Sequence, residues 1–469
     1  MENNQTPEQP SFFNSLLEAL SGKEFQYTQG SIRRAIFLLA IPMIIEMLME
    51  SVFALVDIIY VSRISVEAVA TIGLTESVIT LVYAIAIGLS MAVTALVARR
   101  IGEENLAQAK KTASQAILLG VLVAVIVGIL GFRYAREILA LMGASPAVIN
   151  EGYRYTQWLL GGNITIMLLF LINAIFRGAG DASFAMWSLV LSNGLNIILD
   201  PIFIFGWGPV PAFGVEGAGI ATNIGRGSAV VFQLFVLFYG WTRIQLTMKD
   251  WVIHWRIMKN LIKISLGGIG QFLIGTSSWV LLMRIMAEFG SEVLAGYTIS
   301  IRVITFTMMP AWGISNAAAT LVGQNLGANQ ANRAEESVWI TGKYNAWFMG
   351  VFSLIYLFFA HPIIGLFTEV NAVIEAGALS LQIIAAGYIF YAYGMVMTQA
   401  FNGAGDTQTP TVINFFCFWI FQVPFAYLAA IHWDMGPMGV YIAITVAEVM
   451  IAIVAMILFR KGKWKTMTV

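Results

Sequence analysis

Asn196-Ile-Ile-Leu-Asp200, followed at once by Pro201, sets an amide and a carboxylate four residues apart inside an apolar run. On a helix these positions stack on one face, where their oxygens suit a hard cation. A carboxylate at bilayer depth costs roughly 2.5–3.5 kcal/mol on insertion scales, so something must compensate for it. The plainer reading makes Asp200 a helix N-cap with Pro201 opening the next helix at a broken span. A second buried acid, Asp57, follows Glu46 and Glu50 in an earlier apolar segment. At about 100° per residue these three fall within about 40° of one another. Arg63, six residues past Asp57, lies on the opposite side of an ideal helix and makes a poor partner. Two helices with acids on one face predict a shared polar pocket. Met43, Met47 and Phe53 flank the acidic face and offer an adaptable wall to apolar ligands. Pro42, one turn before Glu46, can kink the helix that carries them.

The elements that must hold these residues are membrane spans. Of the 469 residues 58% are hydrophobic and only 11% charged, against about a quarter charged in soluble proteins. Apolar runs long enough to cross a bilayer fall at 36–61, 69–98, 112–135, 151–176, 184–206, 215–241, 260–287, 294–322, 336–360, 373–401, 409–431 and 437–459. The sequence thus predicts an all-α polytopic membrane protein of twelve helices. Residues 1–33 form a polar N-terminal segment without the apolar core of a signal peptide, so the first span is expected to direct insertion. Within it, Phe12, Phe13, Leu16, Leu17 and Leu20 make a stripe able to lie on a membrane surface. Most Lys and Arg fall on the side of the two termini: near Arg33, in the loop after Arg99, at Arg177, in the linker 242–259 and in the tail 461–469. The positive-inside rule then places both termini in the cytoplasm; the inner membrane of a prokaryote is the expected location.

The chain repeats. A shift of 225 residues superposes Arg177-Gly-Ala-Gly-Asp181 on Asn402-Gly-Ala-Gly-Asp406, Gly88 on Gly313, Gly102 on Gly327 and Phe176 on Phe401. Two six-helix lobes, 34–241 and 260–460, are therefore expected to share one orientation about a pseudo-two-fold axis along the membrane normal, with a cavity between them. The shift carries Glu46 to Gln271 and Asp57 to Leu282, which concentrates acid in the first lobe. Glu448 is the exception, expected to pair with Arg302 or Arg226.

Other chemistries fit poorly. Gly-Ala-Gly-Asp lacks the Lys-Ser/Thr of a phosphate loop and reads as a glycine ending one helix and an aspartate capping the next. One cysteine, Cys417, and three scattered histidines make neither a disulfide nor a metal cluster. Zero formal net charge argues against a nucleic-acid partner; no cofactor is expected.

Taken together, Pro42 with Leu-Val-Asp57, Phe-Arg-Gly-Ala-Gly-Asp181, Asn196-Ile-Ile-Leu-Asp200-Pro-Ile-Phe and Gly-Ala-Gly-Ile-Ala-Thr222 resemble the multidrug and toxic compound extrusion (MATE) family of the MOP flippase superfamily. With acids confined to the first lobe, the chain looks like the DinF-type branch. The resemblance implies a cation site for H⁺ or Na⁺ at Asp57, Asn196 and Asp200 with Thr222, supported by Tyr155 and Asn173. It implies a bend at Pro42, while the shared faces and the repeat predict a substrate cavity bordered by Glu46, Glu50, Met43, Met47, Phe53 and Gln271. The expected protein is a monomeric, non-enzymatic antiporter that exports amphipathic, cationic organic compounds by alternating access. A lipid-linked saccharide flippase would need a strongly basic cleft, an intramembrane transferase an Asp-rich motif or a histidine base in a span. A non-transporting scaffold would leave the repeat without a role.

Overall fold

Inside a bilayer the backbone N–H and C=O groups have no water to bind, so each apolar run must satisfy them as a helix. A computed structural model describes residues 12–22, 25–61 and 63–468, without the side chains of 12, 53–58 and 66, and follows this rule. A short helix α1 (Phe12–Leu20) precedes α2 (Ile32–Val61), α3 (Val66–Gly102) and α4 (Leu106–Arg133). Then come α5 (Ala135–Leu141), α6 (Pro146–Gly161), α7 (Ile164–Ala179), α8 (Ala182–Phe205) and α9 (Val215–Tyr239). The second lobe holds α10 (Trp255–Met286), α11 (Ser291–Gly327), α12 (Ala331–Gly365), α13 (Asn371–Ala386) and α14 (Tyr388–Gly403). It closes with α15 (Gln408–His432) and α16 (Pro437–Arg460). Eleven spans stand by themselves, α6 and α7 forming one of them; α13 and α14, bent by 57°, make the twelfth. The fourth span of each lobe breaks at positions the 225-residue shift equates, Gly162 and Gly387.

Glycines mark where the lobes meet, and they do so in symmetric pairs. A Cβ on Gly88 would lie 2.6 Å from the backbone N of Ile269, and one on Gly313 would lie 2.7 Å from Cα of Ile44. A Cβ on Gly102 would strike the carbonyl oxygen of Gln324 at 1.9 Å, and one on Gly327 that of Arg99 at 2.2 Å. Adding 225 to the first-lobe member of one contact and subtracting it from the second-lobe member gives the other contact, so the axis inferred from the sequence is present in the packing. These inter-lobe approaches lie in the half of the protein nearest both termini. There Thr320 Oγ1 donates to the carbonyl of Arg177 at 3.0 Å and Gln324 Nε2 to that of Gly178 at 3.0 Å. Arg333 donates to the carbonyls of Gly30, Gln29 and Tyr27, tying the N-terminal segment of the first lobe to α12 of the second. The buried Tyr27 hydroxyl donates to Gly180 at 3.0 Å; burial, then the Asp181 carboxylate, push its pKa up, so it stays a donor. The termini face is thereby sealed.

Two expectations change. Gly180 (φ 93°) and Gly405 (φ 85°) do end helices in the left-handed conformation. Asp406 caps the next helix as expected, accepting from Thr409 N and Oγ1. Asp181, itself buried, instead accepts from Thr242 Oγ1 (2.6 Å) and Arg243 N (3.1 Å), fixing the inter-lobe linker rather than capping α8. The second lobe also begins earlier than residue 260: α10 starts at Trp255, so the last basic residues of the linker are helical.

Gly102→Ala and Gly327→Ala should each destabilise the protein by about 1–3 kcal/mol, because a backbone carbonyl cannot yield as a side chain can. Gly73→Ala is the control, since a Cβ there meets nothing within 4 Å. Thermal unfolding of the three variants in one detergent measures this; equal melting temperatures for Gly102→Ala and Gly73→Ala would contradict it.

Candidate functional site: two adjoining cavities and a buried carboxylate

Above the seal, α2, α3 and α7 of the first lobe face α10, α11 and α14 of the second across a cavity of about 300 Å³. Its wall is mixed. Met47, Met91, Met309, Phe170, Phe272 and Trp312 supply apolar surface, and Glu46, Glu50, Asn173, Arg177, Asn316 and Asn402 supply polar groups. Arg177 Nη1 lies 2.5 Å from Glu46 Oε1, with side chains only 11% and 2% exposed. Asn173 Nδ2 donates to the same oxygen at 3.1 Å, and Gln233 Nε2 donates to Asn173 Oδ1 at 2.6 Å. A buried ion pair needs such secondary hydrogen bonds to offset its desolvation.

The second lobe repeats this contact without charge. Gln271 Nε2 donates to Asn402 Oδ1 at 3.0 Å and to the Thr407 carbonyl at 3.0 Å, and Asn402 Nδ2 reaches Gln399 Oε1 at 3.2 Å. The 225-residue shift turns Glu46–Arg177 into Gln271–Asn402, so one geometry carries an ion pair in one lobe and an amide pair in the other. This corrects three expectations. Arg177 is a cavity residue rather than a loop cation. Gln271 lies behind Asn402 instead of on the wall. Asn173, expected beside the cation site, bonds Glu46 of the Glu46–Arg177 pair. Met43 is corrected as well: it is fully buried in packing with Ala317 and Leu321 of α11 and lines no cavity.

Tyr155 and Thr222 do come together, in a second cavity of about 260 Å³ shared with Glu50, Glu76, Tyr83 and Arg226. Glu50 and Tyr83 line both cavities, so the two adjoin. Arg226 Nη2 donates to the Tyr83 hydroxyl at 2.7 Å, and Glu448 bonds the Tyr391 hydroxyl in the other lobe. Arg302 is exposed. The expected pairing of Glu448 with either arginine is therefore replaced by a tyrosine contact.

Asn196 and Asp200 are fully buried, and Asn196 Nδ2 donates to Asp200 Oδ1 at 3.0 Å. Helix α8 continues through Pro201 to Phe205, so Asp200 is no N-cap and its span does not break there. Asn196 Oδ1 is buried without a hydrogen-bond partner among the described residues. An orphaned acceptor costs about 1–3 kcal/mol, and a cation beside it would remove that cost. Gly225 lets α9 close on this turn: a Cβ there would lie 2.9 Å from the Ser192 carbonyl and 3.4 Å from Asn196 Cβ. Thr222, three residues along α9, thereby reaches the level of Asp200. Asn193 Nδ2 donates to the Met49 carbonyl at 2.6 Å and fixes α8 beside the parallel α2. Counting from that contact at about 1.5 Å per residue, position 57 and Asp200 lie at matching heights, about 12 and about 10.5 Å along. The side chains of Asp57 and Phe53 lie outside the described residues.

The sequence reading passed over Arg177, Gln233, Glu76 and Tyr83. The repeat held a signal for Arg177, since it aligns with Asn402 beside the aligned pair Glu46 and Gln271. Gln233 was visible as an amide within an apolar span.

Comparison with known proteins agrees with this architecture. The MatE family profile matches residues 42–202 and 269–428, one match in each lobe. The chain is 26% identical over 439 residues to a probable multidrug resistance protein NorM of Thermotoga maritima, covering 92% of this chain and 93% of that one. It is 24% identical over 422 residues to an FAD transporter of Shewanella oneidensis, covering 90% and 93%. A solved structure described as the outward-facing conformation of a multidrug resistance MATE family transporter superposes with a TM-score of 0.87 at 27% identity, over 94% of this chain and 98% of that one. With both lobes matched, the twelve spans present and the internal two-fold visible in its packing, this multi-pass membrane protein belongs to the MatE family of MATE transporters.

Proposed function

We propose that the protein exports small amphipathic organic compounds by alternating access, in exchange for H⁺ or Na⁺ entering at Asp57, Asn196 and Asp200. The observation that carries this reading is the buried Asn196–Asp200 pair with its orphaned amide oxygen, one helix from a cavity large enough for a small ligand. With the termini in the cytoplasm, the sealed face is the inner one and the conformation is outward-facing. A cation reaching Asp200 neutralises a charge between α8 and α2. Pro42 leaves the Leu38 carbonyl without its helical donor, so α2 can bend there. It lies beside Met43 and Ile44, where α2 meets Gly313 of α11, and a bend would loosen that inter-lobe contact. Such coupling requires the ion to bind the two conformations unequally.

The cargo we favour is cationic. Glu46 is held by Arg177, which leaves Glu50 as the acid on the wall beside methionine and aromatic surface that adapts to varied shapes. Arg177 supports a second reading, an anionic amphipath such as a flavin nucleotide, in keeping with the FAD transporter among the relatives. Proteoliposomes with pH and sodium gradients imposed separately test both, using a cationic dye and FAD as cargoes. Dye movement driven by one gradient identifies the ion and supports the first reading; movement of FAD alone supports the second. Transport indifferent to both gradients would overturn antiport.

A further inference from the structure

A third, larger cleft lies on the termini face and shares no lining residue with the two cavities above. Its volume is about 680 Å³, and it opens where α3 ends and α4 and α10 begin. Arg100, Asn105 and Gln108 form one side, and Arg256, Lys259 and Lys263 of α10 form the other. No carboxylate lines it among the described residues. Glu103, the acid nearest in sequence to Arg100, is engaged by Arg99 and Arg100 at the end of α3. Asn105 is the N-cap of α4 and His254 that of α10, so two helix N-termini add their positive ends to the same space. With Arg100 already paired to Glu103, Arg256, Lys259 and Lys263 supply the positive charge that an entering anion would meet.

Helix α10 says what kind of anion. At about 100° per residue, Lys259 and Lys263 adjoin a stripe of Trp255, Ile262 and Leu266, whose side chains are 76%, 43% and 62% exposed. Tryptophan at the end of a span favours the headgroup level, and exposed Ile and Leu further along favour hydrocarbon. One helix thus presents a cationic cleft and, beside it, an apolar path into the bilayer. We propose that this cleft binds the phosphate headgroup of an anionic phospholipid, with its acyl chains along Ile262 and Leu266. The cleft is built from both lobes, so an occupant bridges α3 and α4 to α10 on the sealed side.

The test is lipid retention by the full-length purified protein, read by native mass spectrometry during titration with phosphatidylglycerol or phosphatidylcholine. At about 1 kcal/mol for each cation near a phosphate, Arg256→Gln/Lys259→Gln/Lys263→Gln should bind phosphatidylglycerol about 100-fold more weakly. Lys461→Gln/Lys463→Gln/Lys465→Gln removes as many charges from outside the cleft and should bind it normally. Phosphatidylcholine should not distinguish the variants. Equal phosphatidylglycerol retention by wild type and the cleft variant would overturn the site. Full displacement by millimolar inorganic phosphate would reassign it to a free anion and overturn the lipid. A wild-type measurement guards against a variant that fails to fold: phosphatidylglycerol with a photoreactive acyl chain should crosslink within residues 255–266, and labelling only elsewhere would overturn the proposal.

Discussion

Asp200→Asn is expected to abolish gradient-driven efflux of a cationic dye while leaving the protein folded and the dye bound. The substitution is nearly isosteric, and an amide at 200 can still accept from Asn196 Nδ2, so the 3.0 Å contact need not break. What disappears is the charge that an incoming ion would neutralise. Because a buried carboxylate is itself costly, stability should change by no more than about 1 kcal/mol or even rise. Asn196→Ala should be milder, since it removes one oxygen and keeps the charge. About a tenfold higher ion concentration for half-maximal transport, equivalent to ~1.4 kcal/mol, is expected. Dye efflux at matched expression, with thermal unfolding alongside, checks both. Unchanged efflux by Asp200→Asn would remove the proposed coupling.

The second large effect concerns the pair that differs between the lobes. Arg177→Asn leaves Glu46 buried without its counterion and should destabilise the protein by about 3–5 kcal/mol. Glu46→Gln/Arg177→Asn should recover most of that loss, because it writes the Gln271–Asn402 amide pair of the second lobe into the equivalent place in the first. The four corners of this cycle, measured as unfolding in one detergent, give the coupling between the two side chains. A double variant as unstable as Arg177→Asn would mean that the backbone around Glu46, rather than its charge balance, limits the site. The same double variant leaves Glu50 as the formal charge on the wall of the central cavity, so its preference for cationic over anionic cargo should increase.

Much of this arrangement follows from local chemistry and could be read without coordinates. Hydrophobic runs too long for a soluble core had to become spans. A constant 225-residue offset had to produce two related lobes, because the same glycines recur where helices cross. The four-residue spacing of Asn196 and Asp200 had to bring them onto one helical face. Other points depended on neighbours that no local pattern names. Asp200 reads equally well as a cap or as a buried ligand until α8 is seen to pass through Pro201. Asp181 and Asp406 stand in matching motifs, yet one holds the linker and the other caps a helix, because only Asp181 has Thr242 and Arg243 beside it.

The sequence by itself determined the class of protein, the spans, the internal symmetry and the residues worth suspecting, since these depend on hydrophobicity, helical period and repetition along one chain. Only the tertiary structure decided the partners: Glu46 with Arg177, Asn173 with that pair, Met43 in packing rather than on a wall, and four cations around one cleft. Such contacts join residues more than a hundred positions apart, and their geometry is set by how helices cross. A helix fixes which face a side chain occupies, but which neighbour meets that face is settled when the lobes pack.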